Sequence, residues 1–289
     1  MCKSCVRVIC RYNFYTFIRI VTVYNSSMKI IFKIFFCFFI LFGNNAYSQK
    51  FSVDNINKEI SPSWTDTIYS KGTDSKALIL FMPGGGGQPG SRDNFVNTLN
   101  FLTNKTKFSS GNYDLVVFIS PKDLSENATE LAWQNRNQSE HLMRIESVIN
   151  FYKEKTKLPI ILMGHSYGGI SVQAFVKYIK ENNKLNLLSG VIMSEAYNRA
   201  YDNLISINIP IIFVQHEQGK CVSTSHFWAK SEFARLEKTN KAPMSFISIK
   251  TGDAQLGKHP CSFGYHMYTG ADEEFIGNLD VELNKIKFK

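Results

Sequence analysis

Acidic side chains are absent from the first 48 residues of the chain, although six basic ones occur there. A hydrophobic run long enough to cross a bilayer is lacking too, because residues 34–42 supply nine apolar residues where a helical span needs about 20. Lys29 and Lys33 stand before that run, and Ala46-Tyr47-Ser48 after it has the small-x-small form of a cleavage site. This order predicts a signal peptide at residues 28–48, the alternative being an uncleaved anchor.

Met28 makes a suitable start for this signal, so we interpret residues 1–27 as an upstream extension. Residues 49–289 remain, a length that suits a single α/β domain. They hold all 24 acidic residues and 27 of the 33 basic ones, which reduces the net charge from +9 to +3. A charge this small gives no support to nucleic-acid binding, so we expect no nucleic-acid partner.

Cysteine is scarce after residue 48. Of the six cysteines only Cys221 and Cys261 follow residue 48. Two cysteines in an exported chain predict one disulfide between them, and two separate buried thiols are the alternative. We therefore expect a secreted or periplasmic protein that keeps no stable membrane anchor after cleavage.

Two further motifs are missing. The histidines lack the paired spacing of zinc sites, and no Gly-Lys-Ser/Thr follows the glycine run at residues 84–87, as a phosphate-binding loop would require. We therefore expect a site that needs neither a metal nor another cofactor.

What is present is an alternation of strand-like and helical patterns. Apolar or alternating runs typical of strands occur at residues 77–82, 113–119, 158–163, 187–194, 209–215 and 244–249, with a weaker one at 64–69. Helical spacing occurs around Phe95 and at residues 139–155, from 170 onward, at 226–236 and at 271–286. This alternation predicts an α/β fold with a mainly parallel central sheet and helices on both faces. The unassigned loop at 121–138, which includes Arg136, is expected to shape substrate specificity.

One stretch stands out in this pattern. The apolar run Leu158–Met163 leads directly into Gly164-His165-Ser166-Tyr167-Gly168, and the helical pattern follows. A strand, a sharp turn and a helix in this order predict that Ser166 sits at a strained position where its hydroxyl can act as a nucleophile. The glycines are needed because a Cβ on either side would collide with the neighbouring element. The alternative is an ordinary tight turn.

In these features the chain resembles the α/β-hydrolases. The resemblance rests on the Gly-x-Ser-x-Gly turn, on Pro83-Gly84-Gly85-Gly86-Gly87 after a strand, and on a histidine between the last strand and the last helix. It spans residues 77–288 and implies a serine nucleophile, a carboxylate and a histidine in that chain order. His266 matches the family's histidine position, and His259 is the reserve.

The acid departs from the usual family pattern. Glu217 is the only carboxylate in the loop after the penultimate strand, but it comes slightly early. Glu195, at the end of the preceding strand, is where a minority of the family carries its acid. A Cys221–Cys261 bond would tie the Glu217 loop to the histidine loop, so Glu217 ranks narrowly first and Glu195 second.

The resemblance also implies an oxyanion hole formed by the backbone N–H groups of Gly85 and Tyr167. It implies a serine hydrolase that forms an acyl-enzyme with a small-molecule acyl substrate, most readily a carboxylic ester. Peptidases, thioesterases and acyltransferases use the same machinery. A hydrolase-fold protein that binds a ligand without catalysis is the alternative from a different class.

Overall fold

The computed structural model describes residues 51–56, 65–87, 93–106, 109–120 and 134–288. The predicted upstream extension and signal peptide, and most of the loop at 121–138, lie outside these ranges. The strands within them are β1 (Phe51–Ile56), β2 (Thr65–Ser70), β3 (Ala77–Met82), β4 (Lys105–Thr106), β5 (Ser109–Ser110), β6 (Tyr113–Ile119), β7 (Ile160–His165), β8 (Gly190–Ser194), β9 (Ile211–His216) and β10 (Met244–Ile249).

Five α-helices lie between or after these strands in the described ranges. They are α1 (Asp93–Leu99), which continues as a short 3₁₀ helix to Thr103, α2 (Ser139–Thr156), α3 (Gly168–Glu181), α4 (His226–Glu237) and α5 (Asp272–Leu283). None of these described helices is both long and apolar enough to cross a membrane.

Eight of the described strands form one sheet in the order β1-β2-β6-β3-β7-β8-β9-β10. From β6 to β10 every neighbouring pair is parallel, whereas β1 pairs antiparallel with β2 and β2 with β6. The prediction of a mainly parallel sheet is therefore confirmed. Strand β1 was not predicted, because its alternation of apolar and polar residues breaks at Asp54-Asn55 and it lies within a polar stretch.

The core lies in two layers, one on each face of the sheet. Successive residues of a strand point to opposite faces, so Leu78 and Leu80 pack with α2, α3 and α4, while Ile79 and Phe81 pack with α1 and α5. All four side chains are almost completely buried. The continuous apolar runs seen in the sequence are those of strands covered on both faces.

Some element boundaries differ from the predicted ones. Strand β8 begins at Gly190 and not at residue 187, because Leu185–Leu187 form a 3₁₀ turn. Strand β9 begins at Ile211, directly after Pro210, which has no N–H to donate to a ladder. Helix α5 begins at Asp272 and carries three acidic residues in its first turn, where the positive end of the helix dipole stabilises their negative charge.

The carboxyl ends of the central strands meet at one edge of the sheet. Met82 pairs with Gly164 there, and His165 pairs with Ser194 on the next strand. Ligands of open parallel sheets bind at this edge, because loops from several strands converge on it. The same edge carries the residues that the sequence analysis singled out.

Candidate active site

Ser166 lies in the turn between β7 and α3 with a backbone φ of 55°, in the left-handed region that non-glycine residues rarely adopt. A Cβ on Gly164 would lie 2.6 Å from the carbonyl oxygen of Gly168, and one on Gly168 would lie 1.9 Å from that of Met82. Neither position therefore accepts a larger residue without movement of the backbone. The serine backbone is fixed further, since its N–H donates to the Ser194 carbonyl at 3.0 Å.

His266 lies in a 3₁₀ turn, Gly264–Met267, and is 1% exposed. Its ring centroid lies 4.9 Å from that of His165, the residue before the nucleophile, which places it beside the elbow. Its Nδ1 lies 3.3 Å from Oε2 of Glu195. Its Nε2 is buried and makes no hydrogen bond with any residue that the structure describes. That nitrogen is therefore the one available to a substrate or to the serine hydroxyl.

Glu195 follows directly after β8, has a φ of 40°, and is completely buried. Its Oε1 accepts from the backbone N–H of His216 at 2.6 Å and, with the side-chain amide of Gln215 turned so that both of its ends are satisfied, from Gln215 at 3.2 Å. Its Oε2 accepts from the hydroxyl of Thr224 at 3.1 Å. Together with His266, these donors fix the position of both carboxylate oxygens.

Glu217 lies elsewhere. Its side chain is 40% exposed and its carboxylate is 3.8 Å from the ammonium group of Lys250. The structure thus brings Glu195, and not Glu217, to His266, which reverses the order in which the sequence analysis ranked them. The two glutamates differ in backbone and burial: Glu195 has a left-handed backbone and is completely buried, whereas Glu217 is exposed.

Cys221 and Cys261 are joined in a disulfide, with Cα atoms 4.7 Å apart. The sequence analysis took this bond as support for Glu217, but the residue that it helps to place is Thr224. The Thr224 hydroxyl lies 3.2 Å from Nδ1 of His266 as well as against Glu195. Sequence reasoning missed Thr224, because a threonine in a loop carries no motif, and its nearness to Cys221 was the only available signal.

His259, the reserve histidine, is exposed and its Nδ1 accepts from the backbone N–H of Cys261 at 3.3 Å. It therefore stabilises a surface turn and does not contact Glu195. Within the described ranges, no group of three or more histidine, cysteine or acidic side chains is arranged to hold a metal ion.

The glycine run lies beside the elbow, since β3 and β7 are neighbours. Gly85 and Gly87 have φ values of 53° and 78°, and the N–H of Gly87 donates to the Gly84 carbonyl at 3.0 Å. Tyr167 has helical backbone angles at the start of α3. The N–H groups at a helix start are not used by the helix itself and carry its positive end charge, which suits an anion.

No protein-family model and no curated protein sequence matches this chain. Solved structures are similar to it in fold. A dienelactone hydrolase from Anabaena variabilis aligns with a TM-score of 0.57 at 10% identity over 83% of this chain and 99% of its own. A serine hydrolase homologue from Coxiella burnetii aligns with a TM-score of 0.55 at 13% identity over 81% and 97%. The chain has the α/β-hydrolase fold.

A third similar structure is an acylaminoacyl peptidase from Pyrococcus horikoshii, with a TM-score of 0.57 at 11% identity. That match covers 87% of this chain but 44% of the peptidase, so the likeness concerns one part of the larger protein. Sequence identities this low establish the fold alone. What the site does must be argued from its own residues.

Proposed function

We propose that this protein is an exported serine hydrolase that cleaves a carboxylic ester or a related acyl bond through an acyl-enzyme on Ser166. The observation that carries the proposal is the buried pair of Glu195 and His266 beside a strained Gly-x-Ser-x-Gly elbow. Burying a carboxylate at the edge of a sheet is costly unless it is paired. A histidine paired on one nitrogen and available on the other is the arrangement that base catalysis requires.

The reaction would proceed in two steps. The Ser166 oxygen attacks the acyl carbon while Nε2 of His266 takes the hydroxyl proton, and the N–H groups of Tyr167 and Gly85 receive the negative charge on the former carbonyl oxygen. The bond to the leaving group then breaks, and His266 returns the proton to that group. Water repeats the sequence on the acyl-enzyme and releases the acid. Glu195 orients the ring and stabilises the imidazolium that forms in each step.

Two lines of support come from outside the triad. The structures with this fold include proteins described as a dienelactone hydrolase, an esterase and an acylaminoacyl peptidase, all of which act on acyl bonds. The Cys221–Cys261 pairing fits a protein that matures in an oxidising compartment, as the predicted signal peptide requires. We therefore keep a secreted or periplasmic location as part of the proposal.

The decisive experiment is to express the protein with its own leader and to compare wild type, Ser166→Ala and Ser231→Ala. Ser231 is exposed on α4, far from the elbow in sequence, and serves as the control serine. We expect wild type and Ser231→Ala to hydrolyse p-nitrophenyl esters and to take a fluorophosphonate label on Ser166. We expect Ser166→Ala to take no label and to lose at least about 10⁴-fold in kcat/KM.

A wild-type protein that neither hydrolyses the esters nor takes the label would overturn the proposal in favour of a non-catalytic binding protein. The mass of the purified protein tests the proposed export independently, since cleavage of the signal would leave Gln49 as the first residue.

A further inference from the structure

Arg136 is a buried residue just before α2, 3% exposed, although the sequence analysis placed it in a loop expected to shape specificity. Its guanidinium group contacts two different parts of the candidate site. Nη2 donates to the carbonyl oxygens of Pro83 and Gly85 at 3.0 and 2.9 Å, and Nη1 donates to the hydroxyl of Ser171 at 2.8 Å. Ser171 lies in the first turn of α3, so one side chain joins the glycine run to the elbow helix.

The two carbonyl contacts determine how the glycine run presents its N–H groups. In a trans peptide the C=O and N–H of one plane point in opposite directions. Holding the carbonyls of Pro83 and Gly85 on the guanidinium therefore turns the following N–H groups, those of Gly84 and Gly86, away from it. The peptide between them, which carries the N–H of Gly85, is fixed by the bond from the Gly87 N–H to the Gly84 carbonyl, and the Arg136 contacts hold the peptides on either side of it. A run of glycines would otherwise have the largest conformational freedom of any sequence.

The third contact is also directional. Because Arg136 donates to the Ser171 oxygen, the Ser171 hydrogen is left to donate to Nε2 of His141, which lies 2.9 Å away. This requires a neutral His141 ring. Burial, with the neighbouring charges of Arg136 and Arg144, lowers the pKa of His141 to about 3, so the ring stays an acceptor at ordinary pH. Hydrogen bonds therefore run from Arg136 to Ser171 and from Ser171 to His141, which is the final acceptor.

We propose that Arg136 is a positioning residue that holds the glycine run against the elbow helix, so that the N–H groups on both sides of Ser166 converge on one oxyanion. This inference rests on the proposed hydrolase function. A guanidinium group suits the task, because it is planar, always charged and carries several donors in a fixed arrangement. A lysine could reach only some of the same acceptors.

The test compares Arg136→Gln and Arg136→Lys with Arg144→Gln in the full-length protein. Arg144 is the matched control: it is equally buried on α2, and its guanidinium pairs with Glu140 on the same helix. We expect Arg136→Gln to lower kcat on p-nitrophenyl esters about 100-fold with KM changed less than about threefold, since a misplaced oxyanion donor affects the transition state and not the bound ester. Arg136→Lys should recover part of the loss, and Arg136→Ala should respond to added methylguanidinium.

A fall of the same size in Arg144→Gln, or kcat for Arg136→Gln within threefold of wild type, would overturn the inference. Hydrogen exchange over residues 83–87 gives a readout that does not depend on turnover. We expect exchange there to be about tenfold faster in Arg136→Gln than in wild type and Arg144→Gln. If wild type shows no turnover but this difference in exchange is found, the hydrolase proposal fails, while the inference that Arg136 holds the glycine run stands. If exchange is unchanged, the inference that Arg136 holds the glycine run is wrong.

Discussion

His266 and His141 are both buried near the elbow, and their neighbours carry opposite charges. His266 lies against the carboxylate of Glu195, whereas His141 lies near the guanidinium groups of Arg136 and Arg144. Both rings are at most 1% exposed. Burial and the two arginines oppose a positive charge on the His141 ring. The same side chain is thus a hydrogen-bond acceptor at His141, whereas at His266 it is the proposed base of the reaction.

The two regions also differ in how they are braced. The loops around His266 are joined by the covalent bond from Cys221 to Cys261, which brings Thr224 to the ring. The region around His141 is held by hydrogen bonds from one buried cation. A reacting histidine must be held in one orientation while its charge changes, and a cross-link close by supplies that restraint. The comparison makes three predictions, taken from the largest expected effect to the smallest.

The strongest test of the difference between the two histidines is to remove the carboxylate beside His266. We expect Glu195→Gln to lower kcat/KM for ester hydrolysis by about 10⁴-fold, because an amide favours the wrong tautomer of the ring and cannot stabilise its charged form. Steady-state kinetics on p-nitrophenyl esters measures this. Glu217→Gln is the matched control and should stay within about twofold of wild type, since its exposed pair with Lys250 is far weaker. A large loss in Glu217→Gln with an active Glu195→Gln would restore the order inferred from the sequence.

The Cys221–Cys261 disulfide, which joins the loops around His266, can be reduced without changing the hydrogen bonds around His141. The bond closes a loop with a sequence separation of 40, and we expect its reduction to lower the free energy of unfolding by about 2–4 kcal/mol. Urea unfolding of wild type with and without dithiothreitol measures the loss, and esterase activity should fall with it as Thr224 and His266 lose their fixed separation. The control is the Cys221→Ala, Cys261→Ala double variant, in which the reductant should have no effect. A reductant effect of equal size in that variant would show that another group is responsible.

The difference between the two histidines can also be tested by lowering the pH, which favours a proton on His141. The pKa of His141 in the folded protein, about 3, is below its unfolded value of 6.5, so the unfolded chain binds a proton first as the pH falls. Stability from this residue is therefore present above pH 6.5 and is lost progressively below it. Between pH 7 and pH 5 the loss is about 2 kcal/mol.

We expect wild type to lose that much more unfolding free energy over this interval than His141→Gln, whose amide oxygen can still accept from Ser171. Urea midpoints at the two pH values measure the difference. Equal losses in the two proteins would mean that His141 titrates normally and that the arginines do not hold it neutral.

Much of the fold followed from local sequence. The runs at residues 77–82, 113–119 and 244–249 are strands at the predicted bounds. The first two are almost continuously apolar because they are buried on both faces, whereas the third shows the alternation of a partly exposed strand. The errors lie at element ends, such as residues 187–189 before β8, where apolar side chains are buried outside the strand itself. Residues 51–56 gave no clear strand signal, because their alternation of apolar and polar residues breaks at Asp54-Asn55.

The elbow was determined by the sequence itself, because a strained serine between a strand and a helix constrains the residues next to it, and both glycines can be read directly. Which glutamate lies against His266 was decided by tertiary structure alone. Both glutamates follow strands in the same half of the sheet, and only the fold shows which carboxylate turns under His266. The same holds for Arg136, whose partners lie 35 to 53 residues away in the chain. Contacts over such distances depend on the packing of whole elements, which leaves no local pattern.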